Sequence, residues 1–212
     1  MPEKMDFKKT DKLFYMPGLK PSVVEVPEMV FIEVAGTGDP NTSAAYKNAM
    51  EILYGLSYGI KMSKMDGSQP EGYFEYVVPP LEGLWRMADG GTVDYSRKAE
   101  FEWISMIRQP SFVTGAVFEQ AKEKLHRKKP ELALSGARLT RRREGLCVQV
   151  MHRGPYDDEP ATLQRLMQFM TENGFVPDYS DERRHHEIYL GDPRKTVLEK
   201  LRTVLRLPVR KI

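Results

Sequence analysis

The stretch "HHEIYLGDP", residues 185–193, carries the reading on which the fold turns. Strand alternation sets His185, Glu187 and Tyr189 on one side and Ile188 and Leu190 on the other. The second side is apolar and suits a core. The first holds a carboxylate and a phenol two residues apart. Such a side either meets water or looks into a sheltered hollow. If helices cover the Ile188 side and pairing of two like halves curves the sheet, the Glu187 side becomes concave. The acid and the phenol then face a cleft, beside any tryptophan from a neighbouring strand. The chain has two: Trp85 in "LEGLW" and Trp103 in "FEWI".

Working outward, the stretch has a faint counterpart. "CVQVMHRGPY", a helix and "HEIYLGDP" echo "FIEVAGTGDP", a helix and "YFEYVVPP". Each half offers a strand, a turn, an amphipathic helix and a second strand with an acid near its start, Glu75 or Glu187. Helices and strand pairs are segregated, which argues for an α+β fold with antiparallel sheets.

The remaining elements follow from periodicity. Residues 23–36 alternate as a strand, interrupted at Pro27. Thr42 or Ser43 caps a helix whose stripe is Tyr46, Met50, Leu53 and Ile60. Residues 73–78 and 101–109 read as extended. Thr114 caps a helix that buries Phe118, Ala121 and Leu125. Residues 137–156 read as two strands around Glu144 and Gly145. A helix with Pro160 in its first turn presents Leu163, Leu166, Met167 and Met170 and stops at Gly174. Residues 192–211 begin as a turn or short helix and end extended before Pro208.

Composition narrows the function. A 212-residue chain with 41 % hydrophobic and 29 % charged residues can build a core, and a net charge of +2 lacks the field of a general nucleic-acid binder. One cysteine, Cys147, rules out an internal disulfide and fits a reducing compartment. No run resembles a signal peptide or approaches the roughly 18 apolar residues of a membrane span. A cytoplasmic protein is expected, with no membrane partner and no nucleic acid. Phosphate-binding glycine loops, G-x-S-x-G and H-E-x-x-H are absent. Cys147 and His152 stand five apart, so a strand turns them to opposite faces. His185 and His186 diverge likewise, and no further ligands complete a metal site. No metal or cofactor is expected. "HRKK" and "RRR" read as solvated faces.

Several ordered motifs, "HRGPYDDEP", "ENGF", "HHEIYLGDPRK" and "LRTVLRLPV", resemble the GyrI-like small-molecule-binding family. "PPLEGLW" and "FEWISMIRQPSFV" resemble its stand-alone branch. The resemblance implies tandem pseudo-symmetric modules with curved antiparallel sheets, helices on the outer face and a central ligand cleft. It divides the chain into an N-terminal extension, residues 1–22, and a domain over residues 23–212, with modules of about 23–110 and 111–212. It implies binding of bulky aromatic or cationic compounds, with Glu187 central, Tyr189 beside it, and Trp85 and Trp103 as walls. Tyr76, Tyr156 and Met151 complete the candidate ligand-binding set. Stand-alone relatives hydrolyse cyclopropane-bearing DNA-alkylating toxins, so detoxification by hydrolysis is one expectation. Non-catalytic sequestering of drugs and an interaction with DNA gyrase are the others. For hydrolysis, burial is expected to raise the pKa of Glu187, making it the general base, while Tyr189 or Tyr156 donates to the developing oxyanion.

Overall fold

The computed structural model describes residues 4–91 and 93–212. Two short helices, α1 (Phe7–Thr10) and α2 (Lys12–Tyr15), precede the long strand β1 (Ser22–Thr37) and helix α3 (Ala44–Met62). Then come β2 (Leu81–Met87), β3 (Phe101–Arg108), α4 (Gly115–Lys128) and β4 (Ala137–Arg153). Helix α5 (Glu159–Glu172), β5 (Phe175–Pro177), β6 (His185–Tyr189) and β7 (Arg202–Lys211) complete the order. The helix starts are chemically specified. Ser43 Oγ accepts from the Tyr46 N–H, and Thr114 Oγ1 accepts from the Val117 N–H.

The strands are antiparallel and run β4-β1-β3-β2-β6-β7, and β7 pairs again with β4. The ring therefore closes into a six-stranded barrel, with β5 added along β7. Closure gives two cores. Outside, α3 and α4 cover Ile32, Trp103 and Ile107, while α5 covers Val150, Leu205 and Leu207. Inside, Phe31, Leu84, Ile104, Met106 and Cys147 meet, and Phe7, Tyr15, Met151, Ile188 and Val204 fill the rest.

Five expectations change. Residues 73–78 are not a barrel strand; Tyr76 makes one isolated parallel bridge to Met5, and β2 takes the place in the sheet. Glu75 pairs with Lys64 and is not the counterpart of Glu187. Residues 137–153 form one continuous strand, because Gly145 adopts a φ of 68° and bends β4 without ending it. Strand β7 continues through Pro208, which lies opposite Cys147. On α5, Leu163, Leu166 and Met170 are buried, whereas Met167 is 40 % exposed.

The interior holds a buried ionic cluster. His186 Nδ1 lies 2.9 Å from Glu144 Oε2, and Arg206 Nη1 donates to Glu144 Oε1 at 2.8 Å. His186 Nε2 stands 3.0 Å from Glu82 Oε2, whose other oxygen accepts from the Tyr15 hydroxyl at 2.9 Å. The same cluster ties down the N-terminal segment. Arg206 Nη2 donates to the Phe14 carbonyl and Gln149 Nε2 to the Leu13 carbonyl, both at 2.7 Å. Residues 4–20 therefore plug the barrel.

Burial opposes charge on His186, but Glu144 and Glu82 prevail and push its pKa from 6.5 up to about 9. Burial likewise opposes charge on Glu144, but His186 and Arg206 bring its pKa from 4.5 down to about 2. A raised base stabilises fully below its unfolded pKa and fades as the pH climbs through the folded value; a depressed acid does the reverse. Stabilisation from this cluster is thus greatest between pH 4.5 and 6.5 and declines toward pH 9 and toward pH 2. The urea midpoint should fall as the pH rises from 6.5 to 9, and a flat profile would mean that His186 folds neutral. Arg206→Met, which removes one of the two cationic partners of Glu144, should cost about 3–5 kcal/mol in the same titration.

Candidate functional site

Strand β6 lies between β2 and β7, and its register assembles the site. Glu187 stands opposite Gly83, Tyr189 opposite Leu81, and His185 opposite Trp85. Next along the sheet, Trp103 pairs with Trp85 and Ser105 with Gly83. All of these project on the outer face, where the helices pack. The alternation expected for residues 185–190 is present, but the cover is the reverse of that expected. The Ile188 side is the barrel interior, closed by the N-terminal helices, and the acid shares the outer face with α3 and α5.

Glu187 is only 5 % exposed, so its charge needs donors. Three are present. Oε1 lies 3.0 Å from His185 Nε2 and 3.1 Å from the Tyr95 hydroxyl, and Oε2 accepts from the Tyr189 hydroxyl at 2.6 Å. Trp85 Nε1 donates to the Tyr189 oxygen at 3.0 Å, which turns the phenol proton toward the carboxylate.

Tyr95 also lies 2.8 Å from Oε2 of Glu159, a residue with no exposed surface in the first turn of α5. A phenol has one proton to donate. One of the two carboxyls must then be an acid that donates to the phenol oxygen. Burial first, and then the charge of Glu187, raise Glu159 well above the carboxylate range. Burial acts on Glu187 too, but hydrogen bonds from His185, Tyr189 and Tyr95 outweigh it and hold its pKa below the ordinary value. The arrangement is Glu159–COOH, Tyr95–OH, Glu187–COO⁻. The expectation of a raised pKa on Glu187 is corrected: the raised carboxyl is Glu159.

Aromatic rings surround this pair. The Tyr46 ring from α3 lies 6.0 Å from Trp85 and meets Trp103 edge-on at 5.0 Å. Tyr156 stacks edge-on against Tyr189 at 5.5 Å, and Phe101 packs against both Trp85 and Tyr95. Burial chiefly pushes the Tyr46 hydroxyl up to about 12, and Tyr95, Tyr156 and Tyr189 are also raised, so the phenols are neutral donors. Tyr46, Tyr95, Tyr156 and Tyr189 are half-buried, so they roof the acid and still reach solvent. Two glycines admit the indoles. A Cβ on Gly36 would come within 2.4 Å of the Trp103 ring, and one on Gly83 within 2.6 Å of Trp85 Nε1.

The other sequence candidates separate. Trp103 is 1 % exposed and forms the second layer behind Tyr46. Tyr76 sits among Tyr73, Phe74 and Phe112, away from the acid pair. Met151 faces the barrel interior with Ile188, because it pairs with Val204 on that side. Cys147 is also interior, whereas His152 faces outward to Thr162 and the Pro155 carbonyl. Among the described residues, no group of three or more His, Cys, Asp and Glu could hold a metal ion. Their helices include none long and apolar enough to cross a membrane.

A family model for the GyrI-like small-molecule-binding domain matches residues 19–210. The chain belongs to the GyrI-like family. An uncharacterized conserved protein from Listeria innocua is 47 % identical over 98 % of this GyrI-like chain and 100 % of its own, with a TM-score of 0.92. A hydrolase encoded by lin2189 of the same organism is 46 % identical over the same shares, with a TM-score of 0.90. The EcmrR C-terminal domain, 14 % identical over 91 % of this chain and 98 % of its own, shares the fold with a TM-score of 0.53. Comparison with curated proteins gives no match.

Sequence reasoning missed Tyr95, Glu159 and the bonding role of His185. Tyr95 lies in a 3₁₀ turn with no periodicity to mark it. Glu159 follows two exposed aspartates and reads as one more helix-start acid. Infrared difference spectroscopy at neutral pH should show the carbonyl stretch of a protonated carboxyl that disappears in Glu159→Gln; no such band would mean that both carboxyls are ionised. Gly83→Ala should push Trp85 off the Tyr189 oxygen and cost about 1–3 kcal/mol in urea unfolding. An unchanged midpoint would show that the indole yields freely.

Proposed function

We propose that this GyrI-like protein binds bulky aromatic, often cationic compounds against its phenol and indole wall. We further propose that it hydrolyses electrophilic cyclopropanoid DNA-alkylating toxins, with Glu187 as general base. One observation carries the reading: two buried carboxyls, Glu159 and Glu187, share the Tyr95 hydroxyl beneath that wall. The description of two Listeria innocua relatives as hydrolases supports it. In the same reading, residues 23–110 and 111–212 act as two modules flanking the site, and the protein works in the cytoplasm, where its lone buried cysteine stays reduced.

The chemistry is a ring opening by water. The water oxygen bonds to a cyclopropane carbon, the strained carbon–carbon bond breaks, and its electron pair moves through the conjugated ring to the carbonyl oxygen. The attacking water becomes acidic as that bond forms, so even a carboxylate of lowered pKa accepts its proton; this is the role of Glu187. The carbonyl oxygen gains negative charge, accepts a hydrogen bond from Tyr156 and is protonated by solvent water. Glu187 returns the proton it took to solvent, and the enclosed, neutral Glu159 leaves Glu187 as the one charged carboxyl of the pair. The indole of Trp85 and the ring of Tyr46 hold the flat substrate near the water.

A second reading has its own support. An ionised acid under aromatic rings attracts a cation without turning it over, which makes a sequestering protein. Glu187→Gln separates the two. For an enzyme, kcat on a cyclopropanoid compound should fall by about 10²–10⁴. Full retention of hydrolysis in that variant would remove Glu187 as the base. Tight binding of a cationic dye by the wild type, with no conversion of any electrophile, would favour sequestration.

A further inference from the structure

A cavity of about 210 Å³ lies on the far side of His185 and Trp85 from the acid pair, and neither Glu187 nor Tyr189 lines it. Its walls come from α5, β7 and the loop before β6. Leu163, Met167 and Leu207 supply apolar surface, Trp85 an aromatic edge, and His185 the partition toward Glu187. An apolar cavity of about 150 Å³ accommodates benzene, so this one suits a fused bicyclic ring.

The mouth supplies the charge preference. Three guanidiniums line it. Arg86 pairs with Glu102 and Asp181, and Arg183 pairs with Asp178. Arg184 makes no ion pair among the described residues; its one hydrogen bond runs from Nε to the Asp181 carbonyl at 2.9 Å. Burial first, and then repulsion from the neighbouring Arg86, push its pKa down, against the pull of Glu102 and Asp181. An anion placed there gains a forked donor and relieves that repulsion.

We infer that this cavity is a second ligand site for a flat aromatic compound carrying an anionic group, with the ring system against Leu163, Met167 and Trp85 and the anion on Arg184. It differs in charge preference from the Glu187 site, whose carboxylate favours cations, and it does not depend on Glu187 being a base.

Calorimetric titration of the full chain with naphthalene-2-carboxylate and 2-naphthamide tests this. The carboxylate should bind one per chain, about tenfold or more tighter than the amide. Arg184→Gln, at a half-exposed side chain without an ion pair, should reduce the carboxylate to the affinity of the amide. Met167→Trp, at a partly exposed position on α5, should fill the cavity and abolish binding of the carboxylate. Equal affinities for the two probes would overturn the inference. So would no saturable binding, an unchanged carboxylate affinity in Arg184→Gln, or wild-type binding in Met167→Trp. None of these readouts involves hydrolysis, so failure here leaves the proposal for Glu187 standing.

Discussion

An ionised carboxylate cannot remain in a protein interior unless donors replace its water, and the outer face of this barrel is organised around that requirement at Glu187. The donors come from separate parts of the chain. His185 and Tyr189 are its own strand neighbours, and Tyr95 arrives from the turn before β3. Their convergence depends on the pairing of β2 with β6. That pairing sets Gly83 opposite the acid and leaves room for the Trp85 nitrogen to orient Tyr189.

A single step along β6 separates two electrostatic systems. His185 faces outward and serves Glu187; His186 faces inward and joins Glu82, Glu144 and Arg206. The outer system has an acid raised by burial, an acid held low by donors, and rings open to solvent. The inner one has its charges matched, is largely buried and is fastened to the N-terminal helices. Adjacent histidines therefore serve different ends because a strand reverses direction at every residue.

That reversal is why much of the site was legible in the sequence. Alternation alone aligned Glu187 with Tyr189, and the two tryptophans fell on strands that pair beside them. Which side the helices cover was not legible. Closure of β7 onto β4 makes the apolar Ile188 side an interior, and only the three-dimensional ring reveals that. Tyr76 and Met151 were misplaced for related reasons. One sits in a segment that looks extended but joins the barrel nowhere, and the other has the parity of the inner face. Glu159 and Tyr95 meet Glu187 across 28 and 92 residues of chain, a juxtaposition that local pattern cannot encode.

The plug at the barrel's end has a bearing on biosynthesis. The carbonyl of Phe14 is gripped by Arg206, 192 residues later. During vectorial synthesis, the helices that seal the interior leave the ribosome early and have no seat until the final strand emerges. The chain must wait with those apolar faces uncovered, and an arginine of the last strand closes the clasp on the second helix.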